Sequence, residues 1–248
     1  ASPNGFAARD PVLPPLALAD MVAGLSGAMS ILVALRHRDQ NGGGGQEIDL
    51  SLLEPIFSIL GPQALNFKMT GEAPERTGSS SNTAAPRGVY QSKDGKWISM
   101  SASMQVMAER VLRAMGREDL ITDPKFVTNG LRVKNNKELD PLVRAWMAER
   151  TLEENMAIFK RENITAAPVL DISQIVEDEH FREREILVEV PDEDLGSIPM
   201  HNIIPRLSDS PGHLRRPAPT LGQHTEEILG DLGLSADDLI RLSKDGVI

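Results

Sequence analysis

Residues 16–38 read LALADMVAGLSGAMSILVALRHR, and the rest of the chain is read outward from them. The run follows Pro14 and Pro15 and carries one acid, Asp20, among apolar and small residues. Beyond Asp20 the apolar side chains recur at helical steps: Val22, Leu25, Met29, Leu32 and Leu35. Overlaid on them are the small residues Ala23, Gly24, Ser26, Gly27, Ala28 and Ser30. Glycine costs a helix about 1 kcal/mol relative to alanine. A helix that keeps two of them is expected to bring its backbone close to another element or a ligand. The cations Arg36 and Arg38 suit the negative end of that helix, and Asp20 suits the positive end.

Asp20 admits two readings. Aspartate is a preferred N-cap, accepting a hydrogen bond from a backbone N–H two or three residues on, and caps greatly outnumber catalytic acids. The same helix end also keeps a carboxylate ionised, and an ionised carboxylate can attack an activated acyl group. One residue can satisfy both.

The composition bounds the class. The chain has 248 residues, no Cys, a formal net charge of -10 and a pI near 5.0. That length allows two domains, and 40% hydrophobic with 25% charged residues is an ordinary globular balance. Aromatics make up only 4%, so aliphatics, Ala and Met must fill the core. The acidic balance argues against a nucleic-acid footprint. Without Cys there are no disulfides, thiolate metal sites or Cys nucleophiles, which fits a reducing cytoplasm. No signal peptide and no apolar run long enough to span a membrane is expected. The opening ASPNGFAARDPVLPP reads as a loop feeding a buried helix, and the lack of a first strand suggests a missing N-terminal part.

Past the first helix, Gly42–Gly45 form a helix stop and turn rather than a phosphate cradle, since no GxGxxG or Walker pattern is present. Glu47–Leu50 is a short strand candidate. Ser51 and Glu54 make a capping-box pattern for a second helix, interrupted at Gly61-Pro62. The stretch Thr70–Gly88 is rich in Gly, Ser, Thr and Pro and reads as a linker or an active-site loop. A hairpin follows, Val89–Gln91 and Lys96–Met100 around Asp94-Gly95. Helices are expected over Met104–Met115, Lys137–Arg150 and Leu152–Glu162, with Thr151 and Glu154 as a capping box. Ala166–Leu170 reads as a strand, Ile172–Arg184 as helical turns, and Ile186–Val190 with Ile198–Ile203 as a second hairpin. Pro205–Gly222 is an extended connector before two short helices, Thr225–Leu232 and Ser235–Leu242. The five histidines show no HxxxH or HExxH spacing, so no metal site is expected. His201 and His213 near Arg206, Arg215 and Arg216 could face an anion, but a solvated connector is the plainer reading.

Four stretches now point one way. The run LADMVAGLSGAMSILVALRHRDQNGGGGQEIDLSLLEP resembles the matching segment of the family III CoA-transferases, the formyl-CoA and carnitine-CoA transferase type. So do RTGSSSNTAAPRGVYQSKDGKWISMSAS, AAPVLDISQIVEDEHFREREI, and PRLSDSPG with LGQHTEEIL, in the family's order. The α-methylacyl-CoA racemases share the fold and several of these motifs. The resemblance implies an α/β fold: a partial Rossmann-like large domain in two pieces plus a smaller α+β domain. The expected division is 1–72, 73–187 and 188–248, with the flanking parts belonging to the large domain.

By resemblance, Asp20 is the catalytic aspartate, which attacks the donor thioester and passes through an aspartyl anhydride and an aspartyl-CoA thioester. Gly78, Ser79, Ser80, Ser81 and Asn82 match a mobile loop that shields those intermediates, with serines where the family usually has glycines. Coenzyme A enters as the substrate thioester, with no metal. The implied partners are an acyl-CoA and a carboxylic acid, and a second copy in an interlocked homodimer; no nucleic acid and no membrane. The implied location is cytoplasmic. The family's N-terminal part, which holds most CoA-binding residues, has no counterpart here, so the chain alone is expected to be inactive. The racemases use an added acid after the hairpin; here that region reads Ser101-Ala102-Ser103-Met104-Gln105, which favours transfer over racemisation. A racemase or acyl-CoA isomerase, and a non-catalytic acyl-CoA-binding homologue in which Asp20 only caps, stand as the alternatives.

Overall fold

The computed structural model describes residues 5–248, so the first four residues of the expected opening loop lie outside it. It divides into two compact units, Ala1–Val169 and Leu170–Ile248.

The first unit opens with a loop and then α1 (Leu18–Asn41), which Gly42 ends in a left-handed conformation at φ 60°. Two short helices follow, α2 (Leu53–Ser58) and α3 (Gln63–Thr70), separated at Gly61-Pro62 as the sequence predicts. The Ser51 hydroxyl accepts from the Glu54 N–H at 3.2 Å and donates to its carboxylate at 2.8 Å. The expected strand Glu47–Leu50 is corrected to an exposed, unpaired segment. A β-like sequence becomes a strand only by pairing, and no described segment ladders with it.

The rest of the unit is built on one small sheet. Strands β1 (Arg87–Gln91) and β2 (Trp97–Ser101) form the expected hairpin. The helices α4 (Gln105–Ala114), α5 (Asp119–Thr122), α6 (Asn129–Lys134), α7 (Asn136–Ala148) and α8 (Leu152–Arg161) follow. Strand β3 (Ala166–Pro168) then pairs antiparallel with β2. Strand parity decides what lies where. Tyr90, Ile98 and Met100 point inward and pack with Val111, Leu112, Leu139, Val143, Met147 and Phe159 from the amphipathic helices. Arg87, Val89, Ser99 and Ser101 alternate with them and share the opposite face, with Arg87 across from Ser101 and Val89 across from Ser99. The Thr151 capping box forms as expected, and Asp94 Oδ1 accepts from the Leu152 N–H at 2.9 Å, tying the hairpin turn to the start of α8.

The second unit carries α9 (Ile172–Glu177), α10 (Glu179–Glu183), a hairpin of β4 (Leu187–Asp192) and β5 (Gly196–His201), then α11 (Thr225–Asp231) and α12 (Ala236–Lys244). Residues 205–222 hold no helix or strand and are exposed, so His213 and the three arginines lie in a solvated connector, while His201 is the exposed last residue of β5. Both sheets are antiparallel; the parallel layer of a Rossmann-like domain is absent among the described residues.

One further expectation is corrected. α1 is long and apolar enough to cross a membrane by length and composition, with an 18-residue window of mean hydropathy 1.8. Tertiary packing hides almost none of it: Leu25 is 75% exposed, Met29 64% and Leu32 67%. A helix apolar all round is either a span or the core helix of a larger body.

Candidate functional site

The sequence singled out two places, Asp20 and the loop Gly78–Asn82. Asp20 is the third residue of α1, in its first turn. It is not the N-cap: Ala17 holds that position with no side-chain cap bond. The helix begins with Met21 N–H donating to Ala17 O at 2.9 Å, three residues earlier than the Asp20 cap reading needs. The Asp20 carboxylate is exposed and accepts no side-chain hydrogen bond among the described residues. It sits where first-turn N–H groups lack intrahelical partners, a place that favours an anion. The small-residue stripe acts at one point: a side chain at Gly27 would meet Leu50 Cδ2 at 3.2 Å, while Gly24 faces open space. Ala23 is the one buried residue of the helix.

The loop Gly78–Asn82 is not a free linker. At its start, Gly78 N–H donates to Gly5 O at 2.8 Å, and Arg76 donates to Ala7 O and Arg9 O at 3.2 and 2.5 Å. Gly78 has φ +64°, and any side chain there would strike the Phe6 ring at 2.3 Å, so glycine is required twice over. Inside the loop, Ser81 Oγ accepts from the Thr83 and Ala84 N–H groups. At its end the loop lies on β1: Ser81 N–H donates to Arg87 O, and Val89 N–H to Ser79 O. Gly88 makes that approach possible, since a Cβ there would sit 3.0 Å from Ser79 O.

Helix α6 fastens the loop's exit. Asn129 accepts from Ala85 N–H at 3.2 Å and donates to Thr83 O at 2.9 Å. Arg132, 1% exposed, donates to Ala85 O at 2.7 Å, to Gln105 Oε1 at 2.9 Å and to Phe126 O at 3.0 Å. Burial lowers its pKa from the ordinary guanidinium value, and the charge of Glu109 opposes that shift. Neither residue was singled out from the sequence; a polar residue gives no sign of burial until a partner 44 or 47 residues away is known.

Between this loop and the outer face of the β1–β2 hairpin lies a cavity of about 400 Å³. Gly78, Ser79, Ser80 and Ser81 line it from the loop, and Arg87–Val89 and Ser99–Ser101 from the strands. Asn82 and Asp20 are not among its lining residues. The lining holds several hydroxyls, one cation and no acid. No group of His, Cys, Asp and Glu residues suited to a metal ion occurs among the described residues.

Comparison with known proteins shows the family. The profile of CoA-transferase family III matches residues 1–225. The chain belongs to that family. It is 35% identical over 246 residues to the succinyl-CoA–D-citramalate CoA-transferase of Chloroflexus aurantiacus, covering 99% of this chain and 61% of that protein. It is 28% identical over 223 residues to the mouse (Mus musculus) succinyl-CoA:glutarate CoA-transferase, covering 90% of this chain and 51% of that one. A CAIB/BAIF family protein from Brucella suis superposes with a TM-score of 0.70 at 25% identity, covering 92% of this chain and 58% of that one. The chain thus spans between half and two thirds of the length of these relatives, and its fold is the mixed α/β fold of the CaiB/BaiF proteins.

Proposed function

We propose that the protein carrying this chain moves coenzyme A from an acyl-CoA thioester to a carboxylic acid. The observation that carries the reading is family membership across residues 1–225, with a carboxylate, Asp20, placed in the first turn of a long helix. The relatives are named for succinyl-CoA with malate, citramalate or glutarate, so dicarboxylic acids are the proposed substrate class.

The proposed chemistry uses Asp20 as nucleophile. Its oxygen attacks the thioester carbonyl, the C–S bond breaks, and coenzyme A leaves as the thiolate from an acyl–aspartyl anhydride. The thiolate attacks the aspartyl carbonyl, releasing the donor acid and leaving an aspartyl-CoA thioester. The acceptor carboxylate displaces the thiolate to form a second anhydride. Thiolate attack on the acceptor carbonyl then frees Asp20 and the new thioester. The first and third steps need an ionised carboxylate, the second and fourth a thiolate, and all need exclusion of water, which the pinned Gly78–Asn82 loop is proposed to supply.

The same reading includes a large domain in two pieces around 73–187, an interlocked homodimer threaded through the extended connectors, and a cytoplasmic, membrane-free location. In it the apolar faces of α1 are covered by protein rather than lipid. One relative is named as an alpha subunit and another as a beta subunit, which supports assembly with a second chain.

Asp20→Asn tests the nucleophile. Asp20 is an exposed first-turn acid, whose charge is worth only about 0.3–1 kcal/mol there, so little stability should be lost. Transfer from succinyl-CoA to a dicarboxylic acid should vanish, and hydroxylamine should convert the Asp20 side chain to a hydroxamate, with release of coenzyme A, in wild type only. A fully active variant would leave Asp20 a plain first-turn acid.

A further inference from the structure

The cavity under the serine loop has a chemistry that the transfer mechanism does not use. Its one cation, Arg87, has no hydrogen-bond or ion-pair partner among the described residues. Parity puts it on the hairpin face that looks toward the loop, directly opposite Ser101 and two register positions from the Val89–Ser99 pair. No acidic residue lines the space, so nothing there neutralises a guanidinium. The Ser79, Ser80 and Ser99 hydroxyls likewise have no intramolecular partner among the described residues, which leaves donors for a ligand. At about 400 Å³ the cavity falls within the range that small organic ligands occupy.

We infer that this cavity binds a carboxylate, with Arg87 as its charged partner and the serine hydroxyls around it. Within the proposed function, on which this inference rests, the group bound is the carboxylate of a dicarboxylic substrate that does not react. Arginine presents a planar fork that matches a carboxylate through two parallel N–H···O bonds. The serine hydroxyls of the wall donate to the carboxylate's remaining lone pairs. The methylene spine of a four- to six-carbon diacid has Val89 to lie against. The pinning of both loop ends, by Phe6 and Gly78 on one side and by Asn129 and Arg132 on the other, means that the cavity is formed before any ligand arrives. Arg87 is thereby a specificity residue: it separates diacids from monoacids of equal length.

The first test is binding. Backbone amides of the isotopically labelled chain are followed by NMR while succinate, butyrate, or adenosine 3′,5′-bisphosphate is added. Succinate should shift Gly88, Ser99 and Ser101, and butyrate should do so about ten- to a hundredfold more weakly. Arg87→Gln should erase the difference between the two acids, and Arg87→Lys should keep part of it. Arg87 is exposed at the first position of β1, so these variants are expected to fold, and unchanged shifts elsewhere verify it. Absence of succinate shifts at these amides, or equal shifts in Arg87→Gln, overturns the site. Stronger shifts from the bisphosphate than from succinate overturn the carboxylate assignment in favour of a phosphate of coenzyme A. The second test is transfer by the complete protein. An active enzyme whose preference for succinate over butyrate as acceptor survives Arg87→Gln refutes the inference while the CoA-transferase reading stands. Selective succinate binding in a protein that transfers coenzyme A to no acid refutes the function and leaves the site.

Discussion

Arg132→Met is the sharpest test of how the loop and cavity are held. The wild-type guanidinium is buried and serves three acceptors, Ala85 O, Gln105 Oε1 and Phe126 O, while its Nη2 finds no partner among the described residues. Methionine fills most of the volume but donates to none of them. Gln105 is exposed, so water can replace Arg132 there. The Ala85 and Phe126 carbonyls are in buried residues and stay unpaired, at about 1–3 kcal/mol each. Removing a buried charge with one unpaired donor returns part of that, because desolvating an ion costs several kcal/mol. The balance is a net loss of about 2 kcal/mol. Lysine should do no better: it keeps the charge buried and cannot spread one ammonium over the three directions of the fork. The assay is urea unfolding followed by tryptophan fluorescence. Both tryptophans, Trp97 and Trp146, lie in Ala1–Val169, so the signal reports that unit alone. Trypsin adds a second readout, since Arg76 and Arg87 bracket the loop and a released exit should be cut faster. A methionine variant within about 0.5 kcal/mol of wild type, the usual span of a neutral surface change, would refute the clamp. So would full rescue by lysine.

Two other outcomes are expected. Asp94 is held below the usual carboxylate range, first by the Ser92 hydroxyl and further by the Leu152 N–H, so the stability it adds is present above the unfolded-state value and is lost as pH falls through the folded one. The midpoint in urea should therefore drop on acidification more steeply in wild type than in Asp94→Asn, and parallel curves would show that the turn-to-α8 tie carries no pH dependence. The exposed faces of α1 should make the isolated chain bind an apolar dye and self-associate, and Leu25→Glu with Leu32→Glu should reduce both without changing Trp146 fluorescence; unchanged dye binding in that double variant would place the sticky surface elsewhere.

Local signals made most of the elements legible. The hairpin around Asp94-Gly95, the capping boxes at Thr151 and Ser51, the stop at Gly42 and the break at Gly61-Pro62 each depend on residues within one turn of each other. The misreadings came where local pattern meets a missing or distant partner. Glu47–Leu50 has strand composition and nothing to pair with. The span from Leu18 to Asn41 is apolar enough for a membrane, and its periodicity alone assigns it to neither lipid nor protein.

The candidate site divides the same way. The sequence by itself determined the family, the long small-residue helix with Asp20 at its start, and the serine loop, because each is written in contiguous residues. Only the tertiary structure decided that Ala17 and not Asp20 occupies the cap, that the loop is pinned at both ends, and that Arg87 faces Ser101 across an acid-free cavity. Those facts depend on strand register and on contacts between residues dozens of positions apart. A one-residue slip of β1 against β2 would turn Arg87 out of the cavity face without altering a letter of the sequence.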